Sequence, residues 1–308
     1  MALTAARRFT VPVTAALSVA LLSACGLGSS PSTDGEESAA SSSTAEQTVD
    51  EEIAARLPAA IADAGMIRMA INPAYPPFES TAADGTTLEG LDPDLAHAIG
   101  QVLGVEIEFV PTSFDAIIPS LAAGDVDMAM SSIGDTKARE ETVDFATYYW
   151  NGTLVMVTEG NPDDLAADQL CGAQVGVIRG SLQQSTFLPA QAQACTDEGA
   201  EPPVEQAYQD GPQAQLALQS GRIDAVMTDA PPLLDAESKN PDMFDTVGPL
   251  TRNPNPGGVA FPKGSELVEP VNAALGVLME NGTYEEILER WNLADIAIDA
   301  SEINGAVE

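Results

Sequence analysis

A chain of 308 residues with 44% hydrophobic content is long enough for one large or two medium domains and can bury a core. Its 47 acidic side chains against 12 basic ones give a formal charge of −35, which excludes nucleic acid as a partner because phosphate binding needs a cationic surface. One histidine and three cysteines at spacings that match no zinc pattern give no reason to expect a metal or a cofactor.

In chain order, the first segment is not part of a fold. Arg7 and Arg8 precede an apolar run at 11–22 that is short for a bilayer span, so residues 1–24 are expected to be a signal peptide. Leu22-Ser23-Ala24-Cys25 resembles a bacterial lipobox, in which cleavage before Cys25 leaves a thiol that carries diacylglycerol with fatty-acyl (palmitate) chains. The chain would then sit at the outer face of the bacterial cell membrane, held by a lipid anchor. Residues 25–50 are expected to be a disordered tether, since Ser, Thr, Gly and acid leave almost nothing to bury.

Helical spacing runs over 52–64, and Gly65 turns the chain into a buried strand at 66–71. Asn72-Pro73-Ala74-Tyr75-Pro76-Pro77-Phe78 reads as a proline-stiffened loop that cannot pair as sheet. Residues 94–103 form an amphipathic helix with Leu95, Ile99, Val102 and Leu103 inward and His97 off the stripe. A second strand at 105–110 and a helix at 115–123 follow.

One pattern then occurs twice. Leu121-Ala122-Ala123-Gly124-Asp125-Val126-Asp127-Met128-Ala129-Met130-Ser131-Ser132 is echoed by Leu218-Gln219-Ser220-Gly221-Arg222-Ile223-Asp224-Ala225-Val226-Met227-Thr228-Asp229. Each copy reads as helix, Gly stop, strand, polar tip. Ligands collect beyond the carboxyl ends of strands in open α/β sheets, so Ser131-Ser132 and Thr228-Asp229 are candidate binding groups from two lobes facing one cleft. After the first tip, Asp135 or Thr136 can cap a helix whose first turn holds Arg139, where the macrodipole disfavours a cation. That guanidinium either grips a carboxylate through two parallel hydrogen bonds or pairs with Glu140, Glu141 or Asp144.

The aromatic run at 145–150 is expected as packing between lobes. Cys171 and Cys195 remain as an even pair, a disulfide in an oxidising compartment or two buried thiols. A buried strand runs into Gly180 and a helix start at Ser181-Leu182-Gln183, whose backbone N–H groups suit an anion or carbonyl. A helix at 210–220 precedes the second tip. Asp229 there has an alternative role as the N-cap of a helix opening Ala230-Pro231-Pro232. Residues 245–257, with Pro249, Pro254 and Pro256, are expected as a loop crossing back, and helices at 266–279 and 283–291 would complete the first lobe.

The loop at 72–78, Gly90-Leu91-Asp92-Pro93-Asp94-Leu95, Phe114-Asp115-Ala116-Ile117-Ile118-Pro119-Ser120-Leu121 and the run 139–145 fall in an order, spread over 65–293, that resembles the family 3 extracellular solute-binding proteins of polar amino acid ABC transporters. The resemblance implies an α/β fold of the type II periplasmic-binding-protein kind, a two-lobed clamshell with two hinge strands. Lobe one would take 51–152 and 254–298, lobe two 153–253, and 299–308 would be a tail. By the same resemblance, Arg139, Ser132 and the N–H groups of Gly134 and Leu182 form a carboxylate clamp, and Asp229 accepts the ammonium. Tyr75 and Phe114 would flank the guest's side chain, with Asn72, Ser131, Ile178, Ser181 and Gln183 as further lining. Expected partners are a free amino acid and ABC permease subunits, and the protein is expected to be a monomer. Gly134 stands where many relatives have Ser or Thr. Asn72 stands where binders of cationic amino acids often carry Asp, which favours a neutral polar or acidic guest. The alternatives are an amino-acid-sensing lipoprotein and a dehydratase-like enzyme. Dehydration needs a general acid, and Asp229 is the only candidate among the site-matched positions, so no catalysis is expected.

Overall fold

The computed structural model describes residues 46–307. The expected signal peptide, the lipidation site Cys25 and the tether up to residue 45 lie outside the described residues. The last tether residues, however, are held in place. The Gln47 N–H donates to Gln101 Oε1 (2.9 Å), its side-chain amide to Thr283 Oγ1 (3.1 Å), and the Asp50 N–H to the Val102 carbonyl (2.9 Å). Composition misses this because backbone and amide groups, not apolar side chains, do the anchoring.

Asp50 caps α1 (Glu51–Ala54), and α2 (Ala59–Ala64) ends at Gly65, whose φ of 65° turns the chain into β1 (Met66–Ile71). The next segment does pair, contrary to the sequence expectation. β2 (Ala74–Tyr75) runs antiparallel to β3 (Glu79–Thr81), which pairs with β4 (Leu88–Glu89). Pro76 and Pro77 occupy the turn, so their missing N–H groups are taken from no ladder. Tyr75 consequently stands directly opposite Glu79.

α3 (Leu91–Leu103) starts ahead of the predicted residue 94 because Pro93 falls in its first turn, where no intrahelical donor is needed. Its predicted stripe is buried and His97 stays exposed. β5 (Glu106–Pro111), α4 (Phe114–Ala123), β6 (Met128–Ala129), α5 (Lys137–Glu140) and β7 (Val143–Tyr149) follow.

Beyond β7 the chain builds a second sheet. Its parts are β8 (Gly152–Thr158), β9 (Gln174–Ile178), a π-helical turn (Gln183–Phe187) continued by α6 (Leu188–Asp197), β10 (Val204–Tyr208), α7 (Gly211–Gln219), β11 (Ala225–Asp229), α8 (Ala230–Lys239) and β12 (Phe244–Arg252). The strand order is β10-β9-β11-β8-β12. A disulfide joins Cys171 to Cys195 across a sequence separation of 24, so the pair is not two free thiols. Closing a loop of that size contributes about 3 kcal/mol in the chain-entropy view.

β12 corrects the expectation of a loop over 245–257. It is an edge strand, and Gly248 (φ 77°) and Pro249 fall where its register against β8 shifts, between Val247 and Thr251. An edge strand with a bulge tolerates a proline that a central strand would not.

β13 (Gly257–Pro262) returns to the first sheet, giving the order β5-β1-β6-β13-β7, and α9 (Val268–Glu280) and α10 (Thr283–Arg290) pack beside α3. Each sheet is mixed, with two parallel and two antiparallel strand pairs, and both of its faces are covered. In the first lobe Met69 and Ile71 meet Leu95, Ile99 and Leu275 on one face, while Ala70 and Ala129 meet Ile117 and Leu121 on the other. In the second, Met156 and Val226 pack with Leu218 and Leu233, and Val157 and Val175 with Leu170 and Leu188.

The segment expected as a tail at 299–308 is held against the first lobe. The Thr147 N–H donates to the Glu302 carbonyl (3.0 Å), the Asn304 N–H to the Phe145 carbonyl (3.1 Å), and the Ala306 N–H to Asp135 Oδ2 (3.1 Å). The segment covers the open edge of β7, whose unpaired backbone groups would otherwise face water.

The two crossings are tied to each other. The Asn253 N–H donates to the Asn151 carbonyl (3.0 Å), Trp150 Nε1 donates to the Asn253 carbonyl (2.8 Å), and Arg252 lies over the Trp150 ring at 4.5 Å. The result is an α/β clamshell of two lobes joined by two paired connections.

Candidate functional site

β1 and β6 lie side by side and parallel, so their carboxyl ends bring Asn72 and the Ser131-Ser132 tip together. The Asn72 N–H donates to Ser131 Oγ (3.1 Å), which donates in turn to Glu79 Oε1 (2.7 Å). Ser131 is thereby turned into the wall and does not line the cavity. Ser132 has a φ of 47°; its N–H donates to Asp92 Oδ2 (3.1 Å) and its hydroxyl to Tyr149 Oη (3.2 Å).

Thr136 caps α5 by accepting from the Arg139 N–H (3.1 Å). The Arg139 guanidinium, 6.0 Å from the Phe114 ring, donates to the Gly134 carbonyl (2.6 Å) in its own lobe and to the Gly180 carbonyl (2.8 Å) in the other. Two of the carboxylates that sequence offered as partners have other lysines: Glu140 pairs with Lys137 (2.9 Å) and Asp144 with Lys263 (2.7 Å). Among the described residues Arg139 has no ion pair. Burial lowers its pKa, while Tyr149, Asp229 and Asp135 oppose that shift. Beside it, Gly134 is bridged to Gly257 through its neighbours, Asp135 N–H to the Pro256 carbonyl and Gly258 N–H to the Ile133 carbonyl, which leaves its own N–H outside that ladder. A Cβ at 134 would stand 2.6 Å from Leu182 Cδ1 of the second lobe, so in this closed arrangement a serine or threonine there needs Leu182 to move.

In the second lobe, Asp229 ends β11 and precedes α8, yet its side chain caps nothing. The reason is in the sequence: Pro231 and Pro232 have no N–H to offer a capping carboxylate. The carboxylate instead accepts from Gln183 Nε2 (2.9 Å), Tyr75 Oη (3.1 Å), Ser132 Oγ (3.4 Å) and Asn253 Nδ2 (3.5 Å). Burial raises its pKa against the pull of these donors. Tyr75 Oη also bonds Thr228 Oγ1 (2.7 Å), and Ser181 Oγ accepts from the Gln184 N–H (3.2 Å) at the helix start.

Apart from Ser131 and Thr228, every residue expected at the site lines a single space of about 490 Å³, open mouth included. Glu79, Tyr149, Asp210 and Asn253 line it too, and sequence reasoning missed all four. Glu79 had a signal: residues directly opposite in an antiparallel pair share a face, so a hairpin at 74–81 puts it beside Tyr75. Tyr149 was taken as packing, but its ring needs Gly257 opposite, where a Cβ would fall 1.9 Å from Cζ. Asp210 opens the helix expected at 210–220, and it proves to be its cap, accepting from the Gln213 N–H (2.9 Å). Asn253 reaches the site only because the crossings meet, which nothing local announces. Glu79 and Asp210 add acids to the cleft beyond Asp229, which is the only candidate among the site-matched positions.

The model of the bacterial extracellular solute-binding proteins, family 3, matches residues 67–294. An arginine-binding protein of Corynebacterium glutamicum is 30% identical over 253 residues, 82% of this chain and 83% of its own. Among solved structures, an ancestral arginine-binding protein bound to arginine is similar with a TM-score of 0.67 at 35% identity, covering 74% of this chain and 98% of that one. An ancestral amino-acid-binding protein described as a precursor of cyclohexadienyl dehydratase gives 0.65 at 31% identity, covering 75% and 97%. The fold is the type II periplasmic-binding-protein clamshell.

Proposed function

The chain belongs to the bacterial extracellular solute-binding proteins of family 3, and from that premise we propose that it is the substrate-binding component of an ABC importer, closing on one free α-amino acid. One observation carries the reading: Arg139 from one lobe and Asp229 from the other line the same cavity, and neither has a counter-ion among the described residues. A zwitterion supplies both missing charges at once. It therefore bridges the lobes and favours the closed state, which gives permease subunits a difference between loaded and empty protein to read.

On this reading Arg139, Ser132 and the N–H groups of Gly134 and Leu182 hold the carboxylate, and Asp229 holds the ammonium. Tyr75 and Phe114 flank the side chain, Asn72, Ile178, Ser181 and Gln183 complete the lining, and Ser131 supports it from behind. Arginine is the first guest to test, because two of the relatives above are named for it. Glu79, Asp210 and Asp229 set three carboxyl groups against the single cation of the cavity, which disfavours the acidic guest that Asn72 left open. Thermal-shift screening against every amino acid tests the function, since a true ligand raises stability by mass action. A rise of several degrees for one side-chain class is expected, and no rise with any amino acid refutes it.

We further read residues 1–24 as a signal peptide, Cys25 as the palmitate-bearing anchor at the outer membrane face, 25–50 as the spacer and the protein as a monomer. Lobe two is read as 153–253 between the halves of lobe one. Mass spectrometry should find acylated Cys25 as the first residue; another mature N-terminus would remove the anchor. Sensing without transport is separated by uptake, which should fall when the gene is deleted. Glu79 favours a second reading, since a carboxylic acid beside a bound guest is the proton donor that dehydration requires. Guest recovered unchanged after long incubation supports binding alone, and loss of water detected by mass spectrometry favours the enzyme.

A further inference from the structure

Glu79 and Asp92 are 1% and 0% exposed and are held by neighbouring residues, Glu79 by the Ser131 hydroxyl and Asp92 by the Ser132 N–H. Two carboxyl groups buried against one another resist ionising together, so the pair favours holding one proton. The donors around them decide which. Asp92 receives the Tyr148 hydroxyl at Oδ1 (2.6 Å) and the Ser132 N–H at Oδ2 (3.1 Å), and both stabilise an anion. Glu79 receives the Ser131 hydroxyl at Oε1, while its buried Oε2 has no protein donor among the described residues. The groups that face Glu79 are Asp92 from α3, Tyr148 and Tyr149 from β7, Tyr75 from β2 and Asp229 from the second lobe; Arg139 is the cation of the cavity. Burial, followed by the negative charge of Asp92, pushes the Glu79 pKa well up. Of this acid pair, only Glu79 lines the cavity.

Resting on the amino-acid reading of the site, we propose that Glu79 selects for a cationic guest side chain by exchanging the proton it shares with Asp92 for the guest's positive charge. The O–H bond of the Glu79 carboxyl breaks, the proton leaves to water and buffer, and the carboxylate left behind pairs with the arriving guanidinium or ammonium. One positive charge replaces another, so the repulsion between the two ionised carboxylates is offset by the guest's charge as it appears. A neutral side chain brings no replacement, and Glu79 then keeps its proton. Asn72, the lining residue that carries no charge, cannot perform this role; Glu79 can.

The test compares L-arginine with L-citrulline, its neutral isostere, between about pH 6 and about pH 8, below the ionisation of either α-ammonium. Both guests offer the same carboxylate to Arg139 and the same ammonium to Asp229, so the affinity ratio isolates the side chain. The arginine-to-citrulline ratio should rise with pH, by up to about tenfold per unit while Glu79 is protonated in the empty protein. Calorimetry in two buffers of different protonation heat should count close to one more proton released with arginine. A flat ratio with equal proton counts overturns the inference and leaves the amino-acid site standing. Binding of a neutral amino acid with none of arginine or lysine overturns it equally. Failure of every amino acid to bind removes the underlying reading and the inference with it. Glu79→Gln should flatten the ratio across pH; the wild-type series decides the matter if that variant does not fold.

Discussion

Arg139 holds carbonyl oxygens on both sides of the cleft, those of Gly134 and Gly180, so its loss removes more than a charge. Arg139→Ala leaves both carbonyls and the guest carboxylate without a donor and should cost about 2–5 kcal/mol of binding. Calorimetry showing near-normal affinity would refute the clamp. Arg139→Lys keeps the charge without the planar fork and should recover only part of the loss. Asp229 presents the opposite balance. Its pKa is raised on folding by burial, so over the pH range between the ordinary carboxylate value, about 4, and the folded value, the unfolded chain has already lost a proton that the folded chain still holds. Stability therefore falls as pH rises through that range, and an ionised Asp229 weakens the folded state at neutral pH. Asp229→Asn should raise the melting temperature at pH 7 while weakening amino-acid binding at least about tenfold. A lower melting temperature would contradict this account of Asp229. Both residues were legible in the sequence because each belongs to a repeat of Gly stop, short strand and polar tip, Asp229 in the second tip and Arg139 in the turn of helix just after the first. Glu79 was not, because its position depends on the register of a hairpin that prolines obscured.

Between single residues and the whole lies the junction of α5 with the C-terminal segment. Asp135 is fully buried there, accepting from the Ala306 N–H at Oδ2, while its Oδ1 has no partner among the described residues. Burial first, then the charge of Glu140, raises its pKa to about 7. The stability this junction provides is therefore complete below about pH 4 and is lost as pH rises to about 7. Asp135→Asn cannot ionise, so thermal unfolding should show a variant more stable than the wild type at pH 8 and less dependent on pH; an unchanged pH profile would mean that another acid sets it. Glu79 and Asp92 titrate in the same direction, and the variant separates them from Asp135. Elements were readable where periodicity ran unbroken, as in α3, α4 and α7. They were misread where a proline was taken to veto a whole segment. Pro76 and Pro77 forbid pairing only in the turn between β2 and β3, and Pro249 is tolerated because β12 is an edge. The anchored end of the chain gave little apolar signal, Ile303 and Ala306 aside, since its hold on β7 is made by backbone groups.

Closure of the whole molecule is a balance between contacts that cross the cleft without a guest and contacts only a guest completes. Tyr75 reaches from the first lobe to the Thr228 hydroxyl and the Asp229 carboxylate, and Arg139 reaches the Gly180 carbonyl. If such bonds dominated, the empty protein would stay shut and a permease could not tell it from the loaded one. Their size argues otherwise. These three bonds, at about 0.5–1.5 kcal/mol net each, fall short of the roughly 5.5 kcal/mol that carries a two-state equilibrium from mostly open to mostly closed. The guest supplies the remainder, through the charges of Arg139 and Asp229. Tyr75→Phe keeps the ring beside the guest and removes only the hydroxyl that crosses the cleft. It should favour the open state of the empty protein and weaken binding by about three- to tenfold, the equivalent of one hydrogen bond. Small-angle scattering should then show both proteins contracting when the guest is added, the variant by more. Equal affinities would mean that the hydroxyl plays no part in closure, and complete loss of binding would make Tyr75 part of the clamp instead of a latch beside it.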